Sequence, residues 1–159
     1  MQSTLELSEN EGILLIDKPV GKTSFSIVHA VRKCLQKKKV GHGGTLDPFA
    51  TGLLIIFVGK RYTKMADQFL HHDKEYSARL KLGEQTDTFD LEGQKIAYSR
   101  YVPTTDEIKA VIDEFQGTIE QIPPMFSAKK IQGTRLYELA RKGQVVARAP
   151  SIVTVEITY

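Results

Sequence analysis

Six consecutive apolar residues, Leu53 to Val58, closed on both sides by Gly52 and Gly59, set the frame for this chain of 159 residues. A bilayer span takes about 20 apolar residues, so the run reads as a short buried strand rather than a membrane segment. Gly12 to Asp17 (GILLID) repeats the pattern and is followed by the turn residues Pro19 and Gly21. Strands of this kind need helices to cover them, and the intervening sequence carries helical signals, which makes the chain an α/β (α+β) protein.

Ser24 is placed to cap a helix running to about Gln36, with Phe25, Val28, Val31 and Leu35 on one face. Tyr62 to Leu70 reads as a short helix. Glu75 to Gly83 reads as a strand with Tyr76, Ala78, Leu80 and Leu82 on one face, and Gln94 to Tyr98 as another. Thr104 and Glu107 form a capping box for a helix with Ile108, Val111, Ile112 and Phe115 inward, ended by Gly117. Thr118 to Ile122 is a strand, Pro123 and Pro124 break the chain, and Thr134 to Lys142 is a helix ended by Gly143. Ile152 to Tyr159 alternates as a strand. A sequence that stops inside a strand pattern predicts a longer parent chain.

Several chemistries drop out. Cys34 is the single cysteine, so no internal disulfide or cysteine-built zinc site can form. Met1 to Gly12 has no basic, apolar signal-like stretch, and the default expectation is a cytoplasmic protein away from membranes. Gly21-Lys22-Thr23 sits between strand and helix as a P-loop would, but position 16 is Ile where that motif needs its first Gly. Asp87 to Gly93 lacks the ligand alternation and closing Glu of a calcium loop. His71, His72 and Asp73 are adjacent, and adjacent side chains diverge in a helix or a strand alike, so no metal is expected.

The net charge of +3 hides a strong division. Lys18 to Lys64 holds ten basic residues and one acid, and Met125 to Pro150 holds six basic residues and one acid. If the two segments meet in space they make one positive face suited to a polyanion; the plainer alternative is two solvated basic helices. The acid of the first segment is Asp47, inside the glycine-rich stretch Gly41 to Gly52, GHGGTLDPFATG. Its glycines allow unusual backbone or close approach to a ligand. A lone carboxylate in positive potential stays ionised and suits a nucleophile or base. Asp47-Pro48 is equally a common helix N-cap pair, and local chemistry leaves both readings open.

The motifs extend well beyond this loop. Lys18-Pro-Val-Gly-Lys-Thr-Ser24 is followed by Gly41-His-Gly-Gly-Thr-Leu-Asp-Pro48, Ala50-Thr-Gly52, Thr63-Lys64, Lys74-Glu-Tyr76 and Leu82-Gly-Glu-Gln-Thr-Asp-Thr88. Ile122-Pro-Pro-Met-Phe-Ser-Ala128 and Leu136-Tyr-Glu-Leu-Ala-Arg141 complete the series. In this order the chain from Gly12 on resembles the TruB family of tRNA pseudouridine synthases. The stretches at Gln85 to Gly93 and Ile122 to Gly143 are similar to the stand-alone tRNA enzymes rather than to the guide-RNA-dependent ones, which share the loop core.

The resemblance implies a pseudouridine synthase fold, a mixed and mainly antiparallel sheet flanked by helices, with the catalytic loop in a basic cleft. Residues 1–11 would be an N-terminal tail, 12–159 the catalytic domain lacking its C-terminal side, and 125–143 an RNA-gripping thumb that is mobile before RNA binds. The implied reaction isomerises a T-loop uridine without cofactor or metal, on the T-arm stem-loop of tRNA and with no obligatory protein partner. Asp47 would be the catalytic carboxylate, either attacking the nucleoside or acting as base at the sugar. Tyr76 would stack on the target base, and His42 would help occupy the space left by flipped bases. Lys18, Gly43, Gly44, Thr45, Lys64, Lys129, Lys130 and Arg141 would bind RNA or support the loop.

The chain departs from the family pattern in three ways. One extra residue stands between Gly59 and Thr63. The family's distal arginine, which pairs with the catalytic aspartate, and its C-terminal RNA-binding domain would lie beyond Tyr159, and Arg79 and Arg135 could replace that arginine only by charge. The alternatives are a non-catalytic RNA-binding module using the same basic residues, and a phosphate-binding domain built on the Gly21 to Thr23 turn.

Overall fold

The structure, a computed structural model, describes residues 10–127 and 129–159. The chain divides into two compact units at Tyr76/Ser77. Most of the expected N-terminal tail, and Ala128 in the expected thumb, lie outside the described residues.

In the first unit, strand β1 (Gly12–Lys18) leads through a turn to helix α1 (Ser24–Leu35), then to the short strand β2 (Val40–His42) and to β3 (Gly52–Val58). The apolar run is the middle strand of an antiparallel sheet of order β1-β3-β2. Register pairs Ile16 with Leu54 and His42 with Ile56. Leu54, Ile56 and Val58 alternate onto one face, where they meet Val28 and Val31 of α1 and Val40, with Ile16, Ile27, Leu35 and Leu46 packed around them. Full burial of side chains of this size is worth about 1.5–3 kcal/mol each, so this cluster fixes α1 on the sheet. The opposite face is covered unevenly. Phe57 is buried and packs on Phe69 at 5.2 Å between ring centroids, whereas Leu15 and Leu53 are exposed. The two apolar runs are therefore not buried throughout, because their alternate residues point to a face that no element of this unit fully covers.

Two details of α1 correct the expectation. Thr23, not Ser24, is the N-cap, its hydroxyl accepting the Ser26 N–H at 3.0 Å. Phe25 lies a quarter turn off the buried stripe and is exposed, its ring beneath the Arg32 guanidinium at 5.6 Å and edge-on to His29. Gln36 closes the helix in the left-handed region at φ 52°. The single helix expected over residues 62–70 is two short ones, α2 (Lys60–Thr63) and α3 (Ala66–Leu70).

The stretch that runs from the end of the first unit into the second carries a larger correction. Residues 75–83 form no strand, and Tyr76, Leu80 and Leu82 are all exposed. Alternation specifies which faces a segment would offer, but a strand exists only where a partner completes its hydrogen bonds, and none does among the described residues. Strand β4 (Glu84–Thr86) pairs instead with β5 (Lys95–Tyr98). The loop between them uses its own acids: Asp87 Oδ1 accepts the Gln94 N–H at 2.8 Å, and Asp90 Oδ1 accepts from Thr88 Oγ1 at 2.7 Å and the Glu92 N–H at 2.9 Å.

Helix α4 (Thr105–Asp113) carries the expected capping box, with Thr104 Oγ1 accepting the Glu107 N–H and the Glu107 carboxylate accepting the Thr104 N–H at 2.8 Å. Its apolar face is only partly covered, since Val111 and Phe115 are exposed while Ile108 and Ile112 are half-buried. Strand β6 (Gly117–Gln121) then precedes a small hairpin of β7 (Lys130–Ile131) and β8 (Thr134–Arg135), whose two-residue turn has φ 50° at Gln132 and 83° at Gly133. Positive φ at both turn residues suits the twist of the strands.

The hairpin and helix α5 (Leu136–Ala140) replace the longer helix expected over 134–142. Leu136 is fully buried, with its N–H bonded to the Lys129 carbonyl at 2.9 Å. Strand β9 (Ser151–Val155) pairs with β6 and ends where that antiparallel partner begins, at Gly117 opposite Val155. Beyond it the Gln116 side chain takes over, donating to the Ile157 carbonyl at 2.7 Å and accepting its N–H at 2.9 Å.

Candidate active site

Three tethers hold the glycine-rich loop of the first unit. At its start, the Gly43 N–H continues the β2 ladder by donating to the Ile55 carbonyl at 2.9 Å. Position 43 must be glycine for close packing, because a Cβ there would stand 2.8 Å from Phe57 Cε2. In the middle, Leu46 packs its side chain against the core, and its main chain is bonded in both directions to the buried Ser24 hydroxyl. After Asp47, the Pro48 carbonyl accepts the Gly21 N–H at 2.7 Å and Lys18 Nζ at 3.3 Å.

Lys18 is fully buried, an unusual place for a lysine. Its Nζ also donates to the carbonyls of Lys22 at 2.6 Å and Pro19 at 3.1 Å. Three acceptors match the three hydrogens of an ammonium group, which is how the buried cation is satisfied. The residue thereby ties the end of β1, the following turn and the Pro48 carbonyl together.

Asp47 sits between these holds and is itself exposed. It does not cap a helix. Its carbonyl accepts the Ala50 N–H at 3.1 Å, making a four-residue turn with Asp first and Pro second, the positions those residues favour. A fixed backbone with a free carboxylate is what a nucleophile or base on a positioned substrate requires.

The other candidates separate by unit. His42 ends β2 half-buried, with Nδ1 buried and without a hydrogen-bond partner among the described residues. Gly44 and Thr45 continue the loop, Thr45 exposed, and Lys64 is exposed at the C-cap of α2. Tyr76 is 68% exposed and outside any strand, which corrects its expected place on a strand's apolar face. Lys129, Lys130 and Arg141 are exposed members of the second unit. There the guanidinium groups of Arg135 and Arg141 lie 5.8 and 5.4 Å from the centre of the Tyr137 ring. A hydrogen bond to the Tyr137 hydroxyl at 3.0 Å, followed by the charge interaction with it, raises the pKa of Arg135. Arg79 is exposed in the segment before β4, which has no regular secondary structure.

The Gly21 to Thr23 turn is not a phosphate cradle: the Gly21 amide is spent on Pro48 and the Thr23 hydroxyl on Ser26. Among the described residues no group of three His, Cys, Asp or Glu side chains could hold a metal, and no helix is long and apolar enough to cross a membrane. The roles of Ser24 and Gly21 escape sequence reading. Their only signal was the Gly-Lys-Thr-Ser motif itself, which local rules assign to capping.

The mixed α/β architecture of antiparallel strands and helices is that of the pseudouridine synthases. Among solved structures, one titled "Crystal Structure of a Cbf5-Nop10-Gar1 Complex" is 30% identical with a TM-score of 0.50, covering 75% of this chain and 31% of that one. Residues 32–158 match the family described as TruB family pseudouridylate synthase (N terminal domain). The chain belongs to that family. Relatives named tRNA pseudouridine synthase B include one from Protochlamydia amoebophila, 57% identical over 93% of this chain and 56% of its own length. One from Chlamydia pneumoniae is 48% identical over 96% of this chain and 65% of its own length. The chain thus spans between about half and two-thirds of these relatives.

Proposed function

We propose that residues 12–159 are the catalytic portion of a stand-alone tRNA pseudouridine synthase that acts on a T-loop uridine, with Asp47 as its catalytic carboxylate. The observation that carries this reading is the exposed carboxylate held between the Ser24 hold on Leu46 and the Lys18 and Gly21 holds on Pro48. In the reaction the C1′ to N1 bond of the uridine breaks, the uracil turns, C5 bonds to C1′, and the hydrogen of C5 leaves as a proton. Asp47 attacks the nucleoside or takes a proton from its sugar, and neither step calls for a cofactor or metal.

The target uridine must first leave its stack, at a cost of a few kcal/mol. His42 occupies the vacated space, and Tyr76, whose ring is open to solvent, stacks on the turned-out base. Lys18, Gly43, Gly44 and Thr45 shape the loop. Lys64 and the thumb residues Lys129, Lys130 and Arg141 contact the phosphates of the T-arm, in the cytoplasm where tRNA is modified. The tRNA-named relatives are 57 and 48% identical against 30% for the Cbf5 chain, which favours an enzyme without an obligatory protein partner.

Tritium release from a T-arm stem-loop labelled at C5 of the target uridine tests the reading. Asp47→Ala in the full-length protein is expected to abolish release while changing RNA affinity little. Unchanged release from that variant would remove Asp47 from the chemistry, and no release from the parent itself, with RNA binding lost on neutralising Lys129 and Lys130, would instead establish a non-catalytic RNA-binding module.

A further inference from the structure

The C-terminal end of α1 borders an open hollow of about 490 Å³ lined by His29, Arg32, Lys33, Gln36, Lys37 and Lys38. No acid lines it. On the helix, His29, Arg32, Lys33 and Gln36 fall within an arc of roughly 100°, turned away from the Val28, Val31 and Leu35 stripe that meets the sheet. The Gly59 N–H donates to the Lys39 carbonyl at 2.7 Å, which ties the residue before α2 to the segment that follows the helix.

The cations are not all available. Arg32 is engaged by the Val40 carbonyl at 2.8 Å and the Phe25 ring, and Lys37 stands 3.9 Å from Glu11, a long surface pair of little strength. Lys33 and Lys38 are exposed and make no hydrogen bond or ion pair among the described residues. Basic residues in the last turn complement the helix dipole, which accounts for Arg32 and Lys33 but not for Lys38 and Lys39 beyond the cap. Phe25 is occupied by Arg32 and His29, so the hollow presents charge rather than an open ring for stacking bases.

Ser24, at the other end of α1, bonds to the residue before Asp47. The helix has 12 residues and rises about 1.5 Å per residue, which puts the hollow roughly 15 Å from the carboxylate loop. We propose that this basic end of α1 is a second RNA-binding surface, which grips the phosphate backbone of a helical stem of the same RNA whose loop reaches Asp47. The proposal rests on the RNA-modifying reading given above.

The test compares the full-length protein with a Lys33→Gln/Lys38→Gln variant of matched melting temperature. Two T-arm RNAs are used, one with its stem cut close to the loop and one with the stem extended by a helical turn. The variant is expected to bind the extended RNA more weakly, with the slope of log affinity against log salt smaller by about 2, one for each phosphate no longer neutralised. Affinity for the short RNA, and tritium release at saturating RNA, should not change. Lys33→Arg/Lys38→Arg should behave as the parent. An unchanged slope on the extended stem, or an equal loss on both RNAs, overturns the proposal. Selective loss by the variant on the extended stem, together with a parent protein that releases no tritium, would uphold it while overturning the catalytic reading.

Discussion

Ser24 and Leu46, 22 residues apart in sequence, are bonded to each other twice: the Ser24 hydroxyl accepts the Leu46 N–H at 2.9 Å and donates to the Leu46 carbonyl at 3.2 Å. One buried side chain thus serves both polar groups of the residue that precedes Asp47. Ser24→Ala would leave a main-chain N–H and carbonyl without these partners, so we predict a loss of stability of about 1–3 kcal/mol in urea unfolding. Isomerisation should fall more than RNA affinity does. A variant with parental midpoint and turnover would show that the loop is held without Ser24.

Lys18 joins three carbonyls through one ammonium group. Lys18→Met keeps the length of the side chain and removes every donor, and its cost is predicted to exceed about 2 kcal/mol because charged hydrogen bonds are the strong ones. Lys18→Gln, with fewer donors and a shorter reach, should recover only part of it. Equal stability of parent and Met variant in denaturant melts would refute the clamp.

Gly43 faces Phe57 so closely that even one methyl group must displace the ring. Gly43→Ala is expected to cost about 1–3 kcal/mol through overpacking. Phe57→Leu combined with it should relieve part of that cost. If the two effects simply add in a double-mutant cycle, the close approach is not the cause.

Glu107 is hydrogen-bonded by the Tyr101 hydroxyl and by the Thr104 amide and hydroxyl, and these bonds, Tyr101 first, hold its carboxyl below the ordinary glutamate value. A carboxyl lowered by folding contributes stability above its unfolded pKa, near 4.3, and the contribution disappears as pH falls through the lower folded value. Acid melting of Glu107→Gln should therefore show a shallower decline than the parent below about pH 4.5. Parallel acid limbs would mean that the capping box carries no charge-dependent stability.

Elements differ in how far pattern alone specifies them. The run from Leu53 to Val58, the capping box at Thr104 and the helix from residue 24 were legible because each depends on neighbours within a few residues: chain stiffness, a local hydrogen bond, or a repeating apolar stripe. Phe25 shows the limit. Its spacing admits it to the stripe, but a guanidinium two turns along the helix gave the ring another partner. Residues 75–83 fail for a different reason, since their alternation is intact and their ladder is missing. The hairpin turn at Gln132 and Gly133 carried a usable signal in its glycine, overridden by the helical spacing that follows.

The candidate site divides the same way. That Asp47 stands alone in a basic, glycine-rich stretch was a property of the sequence, as was the order of motifs that marks the family, because both are written in residues close together along the chain. That Lys18 is buried, that Ser24 holds Leu46 and that the Lys39 carbonyl holds the Gly59 N–H were decided only by the tertiary structure. Burial and hydrogen bonding depend on which distant segments share a face, and β3 makes that choice when it passes between β1 and β2 and brings residues 18, 21, 24, 46 and 48 to one end of the sheet.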